Sequence, residues 1–293
     1  MTLAVPATVW QTGRGAVPLE RPVIAGVLNL TPDSFSDGGR YDEPERALEH
    51  AAALLEEGAT MLDVGAESTG PGSRIPVPVE EEWRRLDPVL RGIVRRFPDV
   101  PLSVDTVKAA TARRALDAGA WIINDVSGLR LDPALAEVCA THGAGLILMH
   151  SRGTVSTMAT YEHAQYRDVA GEVQGELADA LAAARARGVP AERIALDPGL
   201  GFSKTPEQTY AVLRAVPALA GLGYPVMLGP SRKRFLGAVT GRDVAERDVA
   251  TAAACALGWM LGARLFRVHA PAPVRDALAV AAAVGTGAGA GAG

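Results

Sequence analysis

Eight short apolar runs are distributed along the chain, and each is followed by a polar residue or by a Gly-Pro-Ser turn. The runs cover residues 23–28, 60–62, 101–104, 121–123, 146–149, 194–196, 226–228 and 265–268. Strands of a parallel sheet that is covered on both faces have such uninterrupted apolar sequences, because neither face meets water. The pattern therefore predicts eight buried parallel strands.

Segments with helical periodicity separate these runs. They cover approximately residues 43–57, 79–96, 108–118, 133–141, 167–187, 206–219, 245–262 and 273–283. In the first segment, Ala47, Ala51 and Leu54 lie on one apolar stripe, and Gly58 follows as a stop signal. This alternation predicts a single-domain α/β fold, a (β/α)₈ TIM barrel over residues 23–284, with the active site at the C-terminal ends of the strands.

The two ends of the chain differ in composition from the barrel. Residues 1–22 contain several glycines and prolines, which predicts a short hairpin that covers the bottom of the barrel. Residues 285–293 alternate Gly with Ala and Thr and lack side chains that bury apolar area, so we expect a disordered tail.

Composition and charge narrow the range of functions. The chain has 293 residues, enough for one barrel with extended loops, and a formal net charge of −4 that gives no basic footprint for nucleic acid. The most apolar segment, residues 249–263, is too short to span a bilayer, so we expect neither a nucleic-acid nor a membrane partner. Cys139 and Cys255 have no paired spacing and no signal-peptide pattern opens the chain, which predicts free thiols and a cytoplasmic location.

Three polar residues at predicted strand ends form the most informative set. Asp105, Asn124 and Asp197 follow the third, fourth and sixth strands, and the C-terminal ends of barrel strands surround one cavity. Two carboxylates and a carboxamide offer acceptors and donors in a pattern that suits a flat heterocycle with amino and carbonyl groups. The alternative is that each residue caps the following helix, and this alternative stays open for Asp105, which precedes Thr106.

Long polar loops follow the first two predicted strands. Residues 29–39 read NLTPDSFSDGG, and residues 67–72 read ESTGPG. Loops of this length and polarity often bind substrates, although each taken alone is equally compatible with a plain connection.

Basic residues follow the seventh and eighth strands. Ser231 opens a Ser-Arg-Lys-Arg run and is a candidate N-cap of a short helix, while Arg267 and His269 alternate at the end of the last strand. Barrels often bind phosphate here, so we expect an anion site, and a solvated basic patch is the simpler alternative. The histidines lack paired ligand spacing, which argues against zinc and favours a Mg²⁺ held by Asn29 together with substrate phosphates.

Taken in order, these segments resemble the dihydropteroate synthases, a family of pterin-binding enzymes of folate biosynthesis. The motifs that carry the resemblance are NLTPDSFSDGG (29–39), DVGAEST (63–69), SVDT (103–106), IIND (122–125), LMH (148–150), LDPGLGF (196–202), SRK (231–233) and RVH (267–269). Each motif alone is weak, but eight in order are specific. The resemblance implies that p-aminobenzoate and 7,8-dihydropterin-6-ylmethyl diphosphate are joined to give 7,8-dihydropteroate and pyrophosphate, and it suggests a homodimer.

The resemblance also implies roles for individual residues. Contacts with the pterin are implied for Asp105, Asn124, Met149, Asp197, Lys233 and Arg267. Contacts with p-aminobenzoate are implied for Thr69, Pro71, Phe202, Ser231 and Arg232. Contacts with the diphosphate are implied for Asn29, Arg267 and His269, with Asn29 also a Mg²⁺ ligand, and the residues implied in catalysis are Asp105, Lys233, Arg267 and His269.

The chain departs from the family pattern in its second loop. The family usually has STRPG there, whereas this chain has Gly70 in place of the arginine, which removes a cation near both substrates unless Arg74 substitutes for it. Ser203 and Ala270 also replace a common Gly and Asp, at peripheral positions. Two alternatives therefore stay open: a pterin-binding protein without synthase activity, and a methyltetrahydrofolate methyltransferase-like enzyme, against which the aminobenzoate and diphosphate motifs argue.

Overall fold

The computed structural model describes residues 8–30, 43–67 and 76–285, and its first elements are a hairpin followed by a parallel sheet. Strands β1 (Val9–Gln11) and β2 (Ala16–Pro18) pair antiparallel. The strands of the second sheet are β3 (Val23–Asn29), β4 (Met61–Gly65), β5 (Leu102–Asp105), β6 (Ile122–Asp125), β7 (Gly145–Met149), β8 (Ile194–Asp197), β9 (Met227–Leu228) and β10 (Leu265–Val268). Each overlaps one of the eight predicted strands.

Helices follow these strands along the chain. They are α1 (Glu43–Glu56), α2 (Val79–Arg96), α3 (Ala109–Asp117), α4 (Ala134–His142), α5 (Val169–Ala186), α6 (Pro206–Arg214), α7 (Val216–Ala220), α8 (Arg234–Thr240), α9 (Asp248–Met260) and α10 (Pro271–Gly285). The prediction of one helix over residues 206–219 is wrong, because the chain breaks at Ala215 and restarts with Pro217 in the first turn of α7. The last helix ends at Gly285, and residues 286–293 of the predicted tail lie outside the described residues.

The parallel sheet closes on itself. Its strand order is β8-β7-β6-β5-β4-β3-β10-β9, with every neighbouring pair parallel. The two ends of this order meet where Leu196 N donates to Pro225 O at 2.8 Å and Leu196 bridges to Val226. The predicted single-domain (β/α)₈ barrel is therefore confirmed. Within the described ranges, no helix is both long and apolar enough to cross a membrane.

The interior of the barrel is apolar at the end where the strands begin. This layer consists of Val23, Ala25, Met61, Ile122, Ile147, Ala195, Met227 and Leu265, and it packs against Trp10, Val17 and Leu19 of the N-terminal segment. Trp10, in β1, is completely buried. The hairpin thus lies across the bottom of the barrel.

The interior becomes polar two residues further along most strands. Side chains of a strand alternate between its faces, so a step of two residues keeps the same face. From Met61, Ile122 and Ala195 this step leads to the following interior residues: Asp63, Asn124 and Asp197. The intervening residues face the helices and join the large outer core. The alternation of the strands therefore brings polar side chains together at the C-terminal end of the barrel.

Candidate active site

A row of residues crosses four neighbouring strands at the top of the barrel. Asn29 of β3 pairs in register with Gly65 of β4, Gly65 with Asp105 of β5, and Asp105 with Asn124 of β6. A methyl group on Gly65 would lie only 3.3 Å from Cβ of Asp105, so glycine leaves the space beside this carboxylate open. Asp105 and Asn124 are both buried, whereas Asn29 is exposed.

On the opposite side of the barrel, three charged residues surround Gly229. A methyl group on Gly229 would lie 3.8 Å from Nζ of Lys233, 3.9 Å from Cβ of Arg267 and 4.0 Å from Oδ2 of Asp197. These residues come from the ends of β8 and β10 and from the residue that precedes α8. Their side chains therefore converge on one point inside the mouth of the barrel.

Arg267 connects the two sides of the mouth. Its Nε donates to Asp63 Oδ2 at 2.5 Å, and its Nη2 donates to Asp105 Oδ2 at 3.0 Å. Asn124 Nδ2 also lies 3.4 Å from Asp63 Oδ2. Burial raises the pKa of Asp105 to about 7, and the Arg267 guanidinium opposes this rise. Arg267 is thus shared by two buried carboxylates, and its charge limits the rise that burial causes in the pKa of Asp105.

Asp197 and Lys233 lie on the same side of Gly229 and influence each other's pKa. Asp197 Oδ1 accepts a hydrogen bond from Gly199 N at 2.7 Å, and burial raises the pKa of this carboxyl while Lys233 lowers it. Lys233 Nζ donates to Leu200 O at 2.5 Å and lies 4.3 Å from the ring centroid of Phe202. Burial lowers the pKa of Lys233 to about 7, against the attraction of Asp197.

An apolar wall completes the mouth beside these charges. Met149, at the end of β7, belongs to a small buried cluster with Val107, Val126, Val155 and Met158, against which the partly buried Phe202 packs. This cluster is separate from the outer core and from the apolar bottom layer. A flat ring that enters the mouth would meet acids and an amide at its edge and apolar side chains at its face.

The chain is similar to known proteins in both sequence and structure. A family described as "Pterin binding enzyme" matches residues 25–269. Dihydropteroate synthase of Bacillus subtilis is 42% identical over 250 residues, which cover 85% of this chain and 84% of that protein. The chain belongs to the dihydropteroate synthase family.

Solved structures of this family have the same architecture. Dihydropteroate synthase of Xanthomonas albilineans with 4-aminobenzoic acid has a TM-score of 0.87 and 41% identity, covering 95% of this chain and 98% of that one. The enzyme of the same organism in complex with 7,8-dihydropteroate has a TM-score of 0.82 and 41% identity, covering 93% and 96%. The resemblance to dihydropteroate synthases inferred from the motifs is therefore confirmed.

The basic segment of this family member is built differently from the sequence prediction. Ser231 is not a helix N-cap, because α8 begins at Arg234 with Lys233 as its N-cap. The Ser231 hydroxyl instead accepts a hydrogen bond from His269 N at 3.1 Å and lies 2.9 Å from His269 Nδ1. Burial, with Arg267 nearby, lowers the pKa of His269 to about 4, so its imidazole is neutral at pH 7.

Arg232 makes a two-pronged ion pair with the start of α9. Its Nε and Nη2 donate to the two carboxylate oxygens of Asp248, each at 2.8 Å. Its backbone has a φ of 55°, in the left-handed region, and its N–H donates to Thr251 Oγ1 at 3.1 Å. These contacts fix a backbone conformation that is uncommon for a residue other than glycine.

Several expectations concern residues outside the described ranges. Thr69 and Pro71, two of the residues implied for aminobenzoate, belong to them, as do Gly70 and Arg74 and most of the loop over residues 29–39. The capping alternative for Asp105 is wrong, because the N-cap of α3 is Lys108 and the Asp105 carboxylate binds Arg267.

Asp63 is a member of the site to which sequence reasoning gave no role. It is fully buried, and it is the only other carboxylate with a hydrogen bond from Arg267 among the described residues. A signal was present in the sequence: Asp63 lies two residues after Met61 and therefore on the same, inward face of β4.

Proposed function

We propose that the chain condenses p-aminobenzoate with 7,8-dihydropterin-6-ylmethyl diphosphate to give 7,8-dihydropteroate and pyrophosphate. The observation that carries the proposal is the convergence of Asp105, Asn124, Asp197, Lys233 and Arg267 in one mouth of the barrel. The proposal is supported by the similarity to enzymes solved with 4-aminobenzoic acid and with 7,8-dihydropteroate.

Recognition of the pterin follows from the hydrogen-bonding capacity of the mouth. Carboxylates accept from ring N–H and amino groups, and the Asn124 amide both donates and accepts. Asp105, Asn124 and Asp197 are each less than 10% exposed, so their side chains are largely shielded from bulk water. We assign the edge of the pterin to these three residues, with Lys233 at its carbonyl side and Met149 against its face.

The charges of the site match the charges that develop in the reaction. When the diphosphate leaves, positive charge grows on the exocyclic methylene and spreads into the electron-rich ring. The Asp105 carboxylate stabilises that charge, while Arg267 stabilises the departing anion. Because His269 is neutral at pH 7, its contribution to the anion is a hydrogen bond. The Ser231 hydroxyl can donate to Nδ1 and leave Nε2–H for this purpose.

The arylamine needs positioning more than activation. Its nitrogen is neutral at pH 7, so no strong general base is required, and correct placement over the methylene supplies much of the rate. We assign the border of the aminobenzoate to Phe202, Ser231 and Arg232, together with Thr69 and Pro71, which lie outside the described residues.

We further propose that Mg²⁺ accompanies the diphosphate, with Asn29 as its protein ligand. The described residues contain no cluster of three or more His, Cys, Asp or Glu able to form a protein cage. An exposed amide oxygen at the end of β3 suits a Mg²⁺ that keeps its waters and takes its remaining ligands from phosphate. When bound, the ion would neutralise part of the charge on the leaving group.

A coupled pyrophosphate assay with both substrates and Mg²⁺ tests the proposal. We expect pyrophosphate only when the pterin diphosphate and p-aminobenzoate are both present. Release without the arylamine would identify a hydrolase, and pterin binding without turnover would identify a binding protein. Methyl transfer from methyltetrahydrofolate to cobalamin would identify the methyltransferase-like alternative.

We also propose a homodimer formed through α9 and α10. These two helices pack on each other, and their outer faces carry exposed apolar side chains: Val249, Leu257, Met260, Val280 and Val284. Exposed apolar patches of this kind are typical of protein interfaces. Sedimentation should give a dimer for the wild type and a monomer for Leu257→Asp, whereas a wild-type monomer would refute the proposal.

The free, buried Cys139 and Cys255 support the expected reducing, cytoplasmic location.

A further inference from the structure

Lys204 is a buried lysine beside the pterin site that the proposed reaction does not use. It is 1% exposed, although lysine is almost never fully buried without partners. Its Nζ lies 2.9 Å from His150 Nδ1, 3.1 Å from Gly199 O and 3.0 Å from Phe202 O. Three acceptors match the three protons of an ammonium group, whereas a neutral amine could donate only two. The surroundings of Lys204 are therefore built for its charged form.

The protonation of His150 agrees with this assignment. Its Nε2 lies 3.0 Å from Glu176 Oε2, which requires a hydrogen on Nε2 and leaves Nδ1 free to accept from Lys204. Arg152 also binds Glu176 and holds the carboxylate in place. His150 is thus a neutral connector between an ammonium group and a carboxylate.

These contacts hold the turn that carries two residues of the proposed site. The turn runs from Asp197 to Ser203, and Lys204 binds its carbonyl groups at Gly199 and Phe202. Gly199 N donates to Asp197 Oδ1, and a methyl group on Gly199 would lie only 1.9 Å from His150 O. The turn therefore rests on the backbone of His150 and is tied to its ring through Lys204.

Space filling alone does not explain why a lysine, and not an apolar residue, is buried at position 204. Asp197 and Glu176 attract its charge, Lys233 and Arg152 repel it, and burial is the strongest influence, lowering its pKa to about 7. An apolar side chain of similar length would fill the same space without the cost of burying a charge. What only the lysine supplies is three directed hydrogen bonds.

We propose that Lys204 is a positioning residue for the substrates, acting with His150 to fix Asp197 and Phe202 where they meet the pterin and the aminobenzoate. This inference rests on the proposed function, from which the roles of Asp197 and Phe202 are taken. Lys204 itself contacts the carbonyl groups of Gly199 and Phe202 in the turn.

The first test is Lys204→Met, which keeps an unbranched chain and removes all three donors. We expect the Kd for 6-hydroxymethyl-7,8-dihydropterin, measured by calorimetry, to rise about tenfold, and the KM for p-aminobenzoate to rise with it. The change in kcat should be smaller than either. If the lysine only maintained the fold, the active fraction and kcat would fall while Kd and KM stayed at wild-type values, and that result would overturn the proposal.

A pair of His150 variants tests the same contact in case Lys204→Met does not fold. The Oδ1 of His150→Asn replaces Nδ1 as an acceptor for Lys204, whereas His150→Gln places its amide near Glu176. We expect pterin binding close to wild type for His150→Asn and a clear loss for His150→Gln. Equal losses in both would overturn the role of Lys204.

A matched control is His142→Gln. His142 also bridges two elements, from Val138 O to Asp117 Oδ1, but it lies at the end of α4, away from the turn. This variant should leave pterin Kd unchanged, which excludes a general effect of losing a bridging histidine. Wild-type protein that binds no pterin would instead refute the proposed function, and calorimetry on the wild type separates the two cases.

Discussion

Arg267 Nη2 lies 3.0 Å from Asp105 Oδ2, and this contact joins the eighth strand of the barrel to the third. The same guanidinium binds Asp63, so one cation balances two buried carboxylates. Removing Asp105 would leave Arg267 with a single partner and leave the mouth with one negative charge fewer. The two residues of this pair are also the ones proposed to stabilise the charges of the reaction, Asp105 the developing cation and Arg267 the departing diphosphate.

Asp105→Asn should abolish most turnover without unfolding the protein. The asparagine keeps the size and much of the hydrogen bonding but removes the charge that stabilises the developing cation. We expect kcat to fall by roughly 100-fold or more, a magnitude typical of losing an electrostatic contact in a transition state. Steady-state kinetics with thermal unfolding in parallel measures both effects.

Asp87→Asn serves as its control, because Asp87 lies on the surface of α2, where its carboxylate forms an ion pair with Arg91. That variant should keep wild-type kinetics. Unchanged turnover in Asp105→Asn would remove Asp105 from the mechanism.

The pH dependence of kcat/KM for the pterin diphosphate should be a narrow bell centred near neutrality. Asp105 acts as a carboxylate, and its pKa is raised to about 7, so activity is lost as the pH falls below that value. Lys233 acts as a cation, and its pKa is lowered to about 7, so activity is lost as the pH rises above it. These are groups of the free enzyme, which kcat/KM reports.

Two variants assign the limbs of that profile. Asp105→Asn should remove the acid limb from the residual activity, and Lys233→Arg should remove the basic limb because arginine keeps its proton. A profile that is flat from pH 6 to pH 9 in the wild type would contradict both assignments.

Lys233→Met should weaken pterin binding more than it affects folding. The variant removes the charge near Gly229 and the contact with Phe202, and hydrogen bonds to charged groups contribute about 2 kcal/mol, or roughly 30-fold in Kd. Burial disfavours the charged form of Lys233 in the unliganded protein. Replacing the lysine with an uncharged methionine removes this unfavourable contribution, so the folded state should be retained. Calorimetry gives the Kd, and a value equal to that of the wild type would contradict the assignment.

The strands and their polar ends could be predicted because both follow from local pattern. Continuous apolar runs identify buried strands, and the period of two carries Asp105, Asn124 and Asp197 to the inner face once the barrel is assumed. The partners of these residues could not be predicted in the same way. Arg267 and Asp63 are 204 residues apart, and no pattern in either segment names the other.

Residues whose type is usually exposed or locally bonded were the hardest to predict. Lysine is almost never fully buried without partners, and only the tertiary structure gives Lys204 its three acceptors. Ser231 has the side chain of a helix N-cap, but its hydroxyl binds His269, 38 residues away, and the helix begins three residues later. The sequence thus correctly indicates that the Ser231 hydroxyl accepts a backbone N–H, but the N–H belongs to His269 and not to the following helix.

Trp10→Ala should destabilise the protein while leaving its active site unchanged. Trp10 is fully buried under the strands, where it packs on the bottom layer of the barrel and not on the polar mouth. Truncating a buried tryptophan costs about 3–5 kcal/mol, and urea unfolding should show that loss. Trp10→Phe should cost far less, because it keeps an aromatic ring and removes an indole N–H for which no hydrogen-bond partner is found among the described residues. The kcat of the folded fraction should match the wild type in both variants. A fall in kcat at constant stability would mean that the bottom layer shapes the mouth, contrary to the separation of the two layers along each strand.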